Sequence, residues 1–179
     1  MNVQLAGLVE ESVVDGPGMR FVIFTQGCEH GCVGCHNPQT HDPNGGETVT
    51  LGWLKDQIDK QKLIRGITFS GGEPFLQAEA MAQLASYAKS KNLHTLAYTG
   101  YTFEELLDMS KTKSGVADFL AQLDMLVDGP FILSQRDITL KFRGSTNQRL
   151  LDAPRSLKEG KAVLWEDPNE AILRQFHRD

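Results

Sequence analysis

The chain has little cysteine: three in 179 residues, all between positions 28 and 35. An odd count with such small loops excludes the disulfide framework of a small extracellular domain, and thiols clustered in a reducing compartment point to metal. Long apolar runs are missing as well. None approaches the ~20 residues of a membrane span, and the opening MNVQLAGLVEESVVDGPGMR has acidic residues where a signal peptide has basic ones. A cytoplasmic protein with no membrane partner is expected. Basic residues are outnumbered, 18 to 23, for a net charge of −5. No basic block or basic-aromatic interleaving is there to neutralise a phosphate backbone, which excludes nucleic acid as a direct partner. Internal repeats and low-complexity stretches are absent too.

What is present is the composition of a globular protein, 40% hydrophobic and 23% charged, at a length that suits one domain. Short apolar runs rich in β-branched and aromatic residues predict strands at Arg20 to Gln26, Gly66 to Ser70, Leu93 to Tyr98 and Leu123 to Val127. Helical spacing lies between them. Leu51, Leu54 and Ile58 share one face after Thr50, and Met81, Leu84, Ala85 and Ala88 share another. Thr102 with Glu105 forms a capping box ahead of Leu106 and Leu107, which should turn inward. Strand, helix, strand in succession implies parallel pairing with right-handed crossovers. About four or five strands are too few to close an eight-stranded barrel, so the expected fold is α/β, an open, partial (β/α) barrel. We place this domain at residues 1–152. Residues 153–179 form a C-terminal extension to which the sequence assigns no role; within it Lys161 to Trp165 suits a strand, and Pro168 suits a first helical turn.

Each unusual polar or glycine-rich cluster follows a predicted strand: GCEHGCVGCHN, GGEP, TGYT and DGPF in order. The carboxyl ends of parallel strands share one edge, so these four segments should converge on one site. Cys28, Cys32 and Cys35 are spaced C-x3-C-x2-C, with Gly27, Gly31 and Gly34 letting the backbone curl around a compact inorganic core. Three thiolates can hold three irons of a cubane and leave the fourth open to a cosubstrate. The competing reading is structural zinc, with His30 or His36 completing a Cys3His set. In SGGEP, Gly71 and Gly72 let main-chain groups approach a ligand and Glu73 can bind an ammonium group, although a tight turn uses the same residues.

Taken together, C-x3-C-x2-C followed by GGE at the next strand end resembles the radical S-adenosylmethionine (SAM) superfamily, whose fold is a full or partial (β/α) barrel. The resemblance implies a [4Fe-4S] cluster on Cys28, Cys32 and Cys35, with SAM chelating the open iron. Gly71, Gly72 and Glu73 would take the methionine end, and Gly34 and His36 would lie near the adenine. Many members carry an aromatic residue before the third cysteine; here Gly34 stands there. DGPG at residues 15–18 with Arg20, Cys35-His36-Asn37, TGYT, DGPF and RGSTNQ at residues 143–148 are together similar to the activating proteins of anaerobic (class III) ribonucleotide reductases. That resemblance implies a glycyl radical made on the large reductase subunit, an electron donor such as flavodoxin, and no general acid or base.

The remaining residues carry two readings each. Asp15 and Arg20 are a substrate contact, or a turn and a surface charge. Tyr98 to Tyr101 border the adenosine, or are a strand end followed by the capped helix. Asp128, following an apolar strand, is expected at the site. Arg143 to Gln148 grip the reductase or cap the sheet. His41, His94 and His177 are expected at the surface. Three other functions compete: activation of a different glycyl radical enzyme, turnover of a small molecule such as a deazapurine precursor, and, outside this class, a zinc-binding interaction module. The absence of cysteine after Cys35 disfavours activases with extra clusters, and the ordinary first cysteine gap disfavours the modified-base enzymes.

Overall fold

The computed structural model describes residues 1–168. One mixed sheet of seven strands runs in the order β3-β1-β2-β4-β5-β6-β7 and does not close on itself. Its centre is the four strands that the apolar runs predict: β2 (Arg20–Thr25), β4 (Gly66–Gly71), β5 (His94–Tyr98) and β6 (Met125–Asp128), all parallel. Three antiparallel strands extend it. β1 (Asn2–Ser12) and β3 (Glu47–Thr50) lie beyond β2, and β7 (Arg149–Asp152) beyond β6. The count therefore exceeds the expected four or five. β3 and β7 are only four residues each, and β1 loses its alternation at register shifts around Gly7 and after Val9, so none shows a clear period of two.

Five helices of the described residues contribute to the core on this sheet. They are α1 (Leu51–Lys60), α2 (Ala78–Ser90), α3 (Phe103–Met109), α4 (Val116–Ala121) and α5 (Ala153–Glu159). The odd-numbered residues Phe21, Ile23, Ile67, Phe69 and Ala97 join Leu54, Met81, Leu84 and Phe119 in the main core, where Phe69 meets Phe119 edge to face at 5.2 Å. Helix starts are capped as the sequence suggests: Thr50 accepts from the Trp53 amide, and Thr102 and Glu105 complete their capping box. Asp152 caps α5, which packs on the same core as β7 through Ala153 and Leu157. The strand expected at Lys161 to Trp165 is reduced to a single bridge, Leu164 with Leu151. The helix expected from Pro168, and His177, lie outside the described residues. Among those described, no helix is long and apolar enough to cross a membrane.

The other face of the sheet carries the even-numbered residues of β2, β4 and β5, the odd-numbered ones of β6, and a smaller cluster in which Leu96, Met125 and Val127 pack with Tyr98, Phe142 and Trp165. At the amino-terminal edge of the strands this face is filled by Arg20, which is completely buried. Its guanidinium donates to Thr68 Oγ1 at 3.0 Å and to the carbonyls of Ile67, His94 and Pro17, and meets His94 Nδ1 at 3.0 Å. Burial lowers its pKa to about 10. Arg20 is therefore no surface charge, and His94 is not the solvated residue expected; a short strand that begins with a charged residue hides which way that residue faces.

Candidate functional site

The four carboxyl-terminal strand ends meet as expected. One cavity of about 450 Å³ is lined by Cys28, Cys32 and Cys35 after β2, Gly71 and Gly72 after β4, Tyr98 to Gly100 at the end of β5, and Gly129 after β6. The loop across it adds Phe131, Leu140, Phe142, Arg143 and Gln148. Arg143 is the one Lys or Arg among these lining residues. Its Nη1 donates to the Gln148 carbonyl at 2.9 Å, while its buried Nε has no partner.

The cysteine loop is set against β4 by main-chain bonds. The Gly72 amide donates to the Thr25 carbonyl and the Glu73 amide to the Gly27 carbonyl, each at 2.8 Å, while Gly27 donates to Thr40 and Cys28 to His41. A side chain on Gly72 would run into the Gly27 carbonyl, and Gly71, at φ +102°, has no room beside the Thr25 backbone. These two glycines thus let the cysteine loop itself pack on the strand end, a role that precedes any approach to a ligand. The loop curls through Gly27, Gly31 and Gly34, all in the left-handed region.

All three thiols are free and partly exposed. Burial pushes the Cys28 thiol up, with Glu73, Cys32 and Cys35 adding like-charge repulsion. That repulsion is what a cationic inorganic core relieves, and the Asn37 amide already points at Cys35 Sγ, at 3.4 Å. The donor set therefore fits an iron-sulfur cluster. Among the described residues no three Cys, His, Asp or Glu side chains converge as a single metal ion requires; a cubane takes each thiolate at its own iron.

Glu73 is fully buried and does not line the cavity. Its carboxylate accepts from the Thr99 hydroxyl at 2.9 and 3.0 Å, the Gly100 amide at 2.9 Å, the Phe75 amide at 3.0 Å and His30 Nε2 at 2.6 Å. Asp128 is also outside the cavity. It caps α3 through the Phe103 amide and pairs with Arg149, which bridges to Glu104. Both carboxylates hold Arg149 protonated far above its ordinary range. Tyr98 does line the cavity, and burial drives its phenol well up. His36 lines it too, its ring 4.9 Å from Phe131. Gly34 sits at φ +74° beneath Leu133, whose methyl would stand 3.0 Å from a Cβ there, so the aromatic residue common at this position would need a strained backbone and a shift of Leu133. His41, expected at the surface, lines the cavity as well.

Reasoning from sequence passed over Phe142, took Thr99 and Phe131 only as members of their motifs, and weighed His30 only as a zinc ligand. Thr99, Phe131 and His30 carried a signal, since all three sit in motifs that should converge. Phe142 follows no strand period and carried none.

Residues 14–151 match the model of a family described as a 4Fe-4S single cluster domain. Similar proteins include the anaerobic ribonucleoside-triphosphate reductase-activating protein of Vibrio cholerae serotype O1, 37% identical over 76% of this chain and 89% of that one. The same-named protein of Enterobacteria phage T4 is 31% identical over 76% of this chain and 86% of its own. The pyruvate formate-lyase 1-activating enzyme of Escherichia coli (strain K12) is 31% identical over 93% of this chain and 71% of its own. The solved structure of QueE from Escherichia coli covers 57% of this chain and 54% of its own, at 17% identity and a TM-score of 0.45, too slight a likeness to bear on function.

Proposed function

Since the chain belongs to the family of anaerobic ribonucleoside-triphosphate reductase-activating proteins, with a 4Fe-4S single cluster domain over residues 14–151, we propose that it is a radical SAM activase that makes a glycyl radical on anaerobic ribonucleotide reductase. The observation that carries this reading is the meeting of the three cysteines with Gly71, Gly72 and Tyr98 in one cavity. Cys28, Cys32 and Cys35 would hold the cluster, and the loop that carries them is bonded to β4 through the main chain. Bound there, the cluster would supply the single electron for reductive cleavage of SAM to methionine and a 5′-deoxyadenosyl radical.

The chain's own residues then have two tasks, placement and exclusion of water. Main-chain groups of Gly71 and Gly72 face the methionine end, and Gly34, His36 and Tyr98 border the adenosine. Phe131, Leu140 and Phe142 supply apolar wall. The Glu73 carboxylate acts through the segments it joins, and Asp128 acts through α3 and Arg149. The sheet is a partial barrel of the radical SAM type, and its open side admits a polypeptide. The domain spans residues 1–152 in this reading, the electron donor is a protein of the flavodoxin kind, nucleic acid takes no part, and the protein works in the cytoplasm.

Mixing the reduced protein and SAM with the class III reductase large subunit should give the EPR doublet of a glycyl radical as SAM is consumed. Cleavage of SAM without that doublet overturns the choice of partner. Identity to a pyruvate formate-lyase 1-activating enzyme over 93% of this chain makes another glycyl radical enzyme the second substrate to try.

A further inference from the structure

We propose that His30 is a positioning residue, a side-chain plug that fixes the middle of the cysteine loop by seating in a socket made by the GGE and TGYT motifs. Main-chain bonds from Gly27 and Cys28 hold the beginning of that loop. His30 lies two residues further on, between Cys28 and Cys32, and its Nε2 reaches Glu73 Oε2 at 2.6 Å. Four members of the two motifs, Glu73, Thr99, Gly100 and Tyr101, shape the receptacle. Glu73, fully buried, provides the acceptor and is itself held by Thr99, Gly100 and Phe75. The Tyr101 ring meets the imidazole edge to face, centroids 4.5 Å apart. Gly100 leaves the space in which the ring sits: the three atoms nearest to a Cβ there would all belong to His30.

This arrangement gives TGYT a purpose other than contact with the adenosine, and gives Glu73 one other than contact with the ammonium. Loss of an outer group that orients metal ligands typically costs about 10–100-fold in metal affinity. His30 would fix the loop between Cys28 and Cys32. The inference rests on the cluster assignment above, but the socket is made of this chain's own side chains, so loop exchange tests it apart from cluster binding.

The experiment is amide hydrogen exchange of residues 29–34 in the metal-free protein, followed by iron and sulfide retention after anaerobic reconstitution, for His30→Ala, His30→Gln, Gly100→Ala and the double variant His30→Ala/Gly100→Ala. His30→Ala should speed exchange in the loop about tenfold and lower cluster retention by about 10-fold or more. His30→Gln, which can place an amide donor near Nε2, should recover most of both. Gly100→Ala should resemble His30→Ala, because its methyl evicts the ring, and the double variant should be no worse than His30→Ala alone. Unchanged loop exchange in His30→Ala overturns the proposal, and so do single effects that add in full in the double variant. A chain that activates a different radical enzyme would still give the expected exchange pattern, so that failure is distinguishable from this one.

Discussion

The Arg20 guanidinium occupies the space that a methyl group on Gly66 would need, and the His94 carbonyl crowds the same point from the other side. Arg20, Gly66 and His94 are paired in register across β2, β4 and β5, so the three form one layer at the amino-terminal edge of the parallel strands, opposite the cavity. The charge is satisfied by carbonyls and a hydroxyl and contributes to packing as much as to electrostatics.

Gly66→Ala should therefore destabilise the protein by about 3 kcal/mol, the upper part of the range for overpacking a buried site. Chemical denaturation of the metal-free chain checks it. A loss below ~1 kcal/mol would mean that Arg20 can move aside.

Glu73→Ala leaves the Phe75 and Gly100 amides without their acceptor in a buried place. A cost on the order of 3 kcal/mol is expected from two unsatisfied donors, together with loss of iron on reconstitution. A lone weakening of SAM binding, with stability and iron content intact, would restore the direct ammonium contact that the GGE resemblance suggests.

The sequence made the site more legible than its supports. Cys28, Cys32, Cys35, Gly71 and Gly72 could be placed together because parallel strands bring their carboxyl ends to one edge, a rule that needs only strand order. Glu73 and Asp128 sit at that same edge but turn into the protein, towards Thr99 and Arg149, and side-chain direction after a strand end is set by contacts far along the chain. Arg20 and His94 escaped for a related reason. Each begins a short strand, where one residue of register decides between solvent and core, and the partner that reveals the answer is 74 residues away.

Replacing Cys28, Cys32 or Cys35 singly by Ala should abolish cluster retention and SAM cleavage while leaving a folded chain. The three side chains line the cavity and are partly exposed, outside the main core. Anaerobic iron and sulfide analysis, circular dichroism and an assay for 5′-deoxyadenosine separate the outcomes. Formation of 5′-deoxyadenosine by any of the three variants would remove that residue from the ligand set.

Acid should weaken the fold through His94. Arg20 can only donate, so the Nδ1 it meets at 3.0 Å must be unprotonated. Burial first, and the Arg20 charge second, hold the imidazole below its ordinary pKa. Lys89 from α2 pushes the same way, and Asp124, ahead of β6, opposes them. A histidine whose folded pKa is depressed is protonated more readily in the unfolded chain. Its contribution to stability is then fully present above about pH 6.5 and lost as the pH falls through that value towards the folded pKa. His30 is shifted the opposite way by its bond to Glu73 and adds a slope of opposite sign, which a comparison with a variant at position 94 cancels. His94→Asn keeps an acceptor near Nδ1 and cannot titrate. The metal-free wild-type chain should lose stability between about pH 7 and 5 more steeply than this variant, measured by urea denaturation at each pH. Parallel profiles for the two proteins would show that His94 does not govern the acid side.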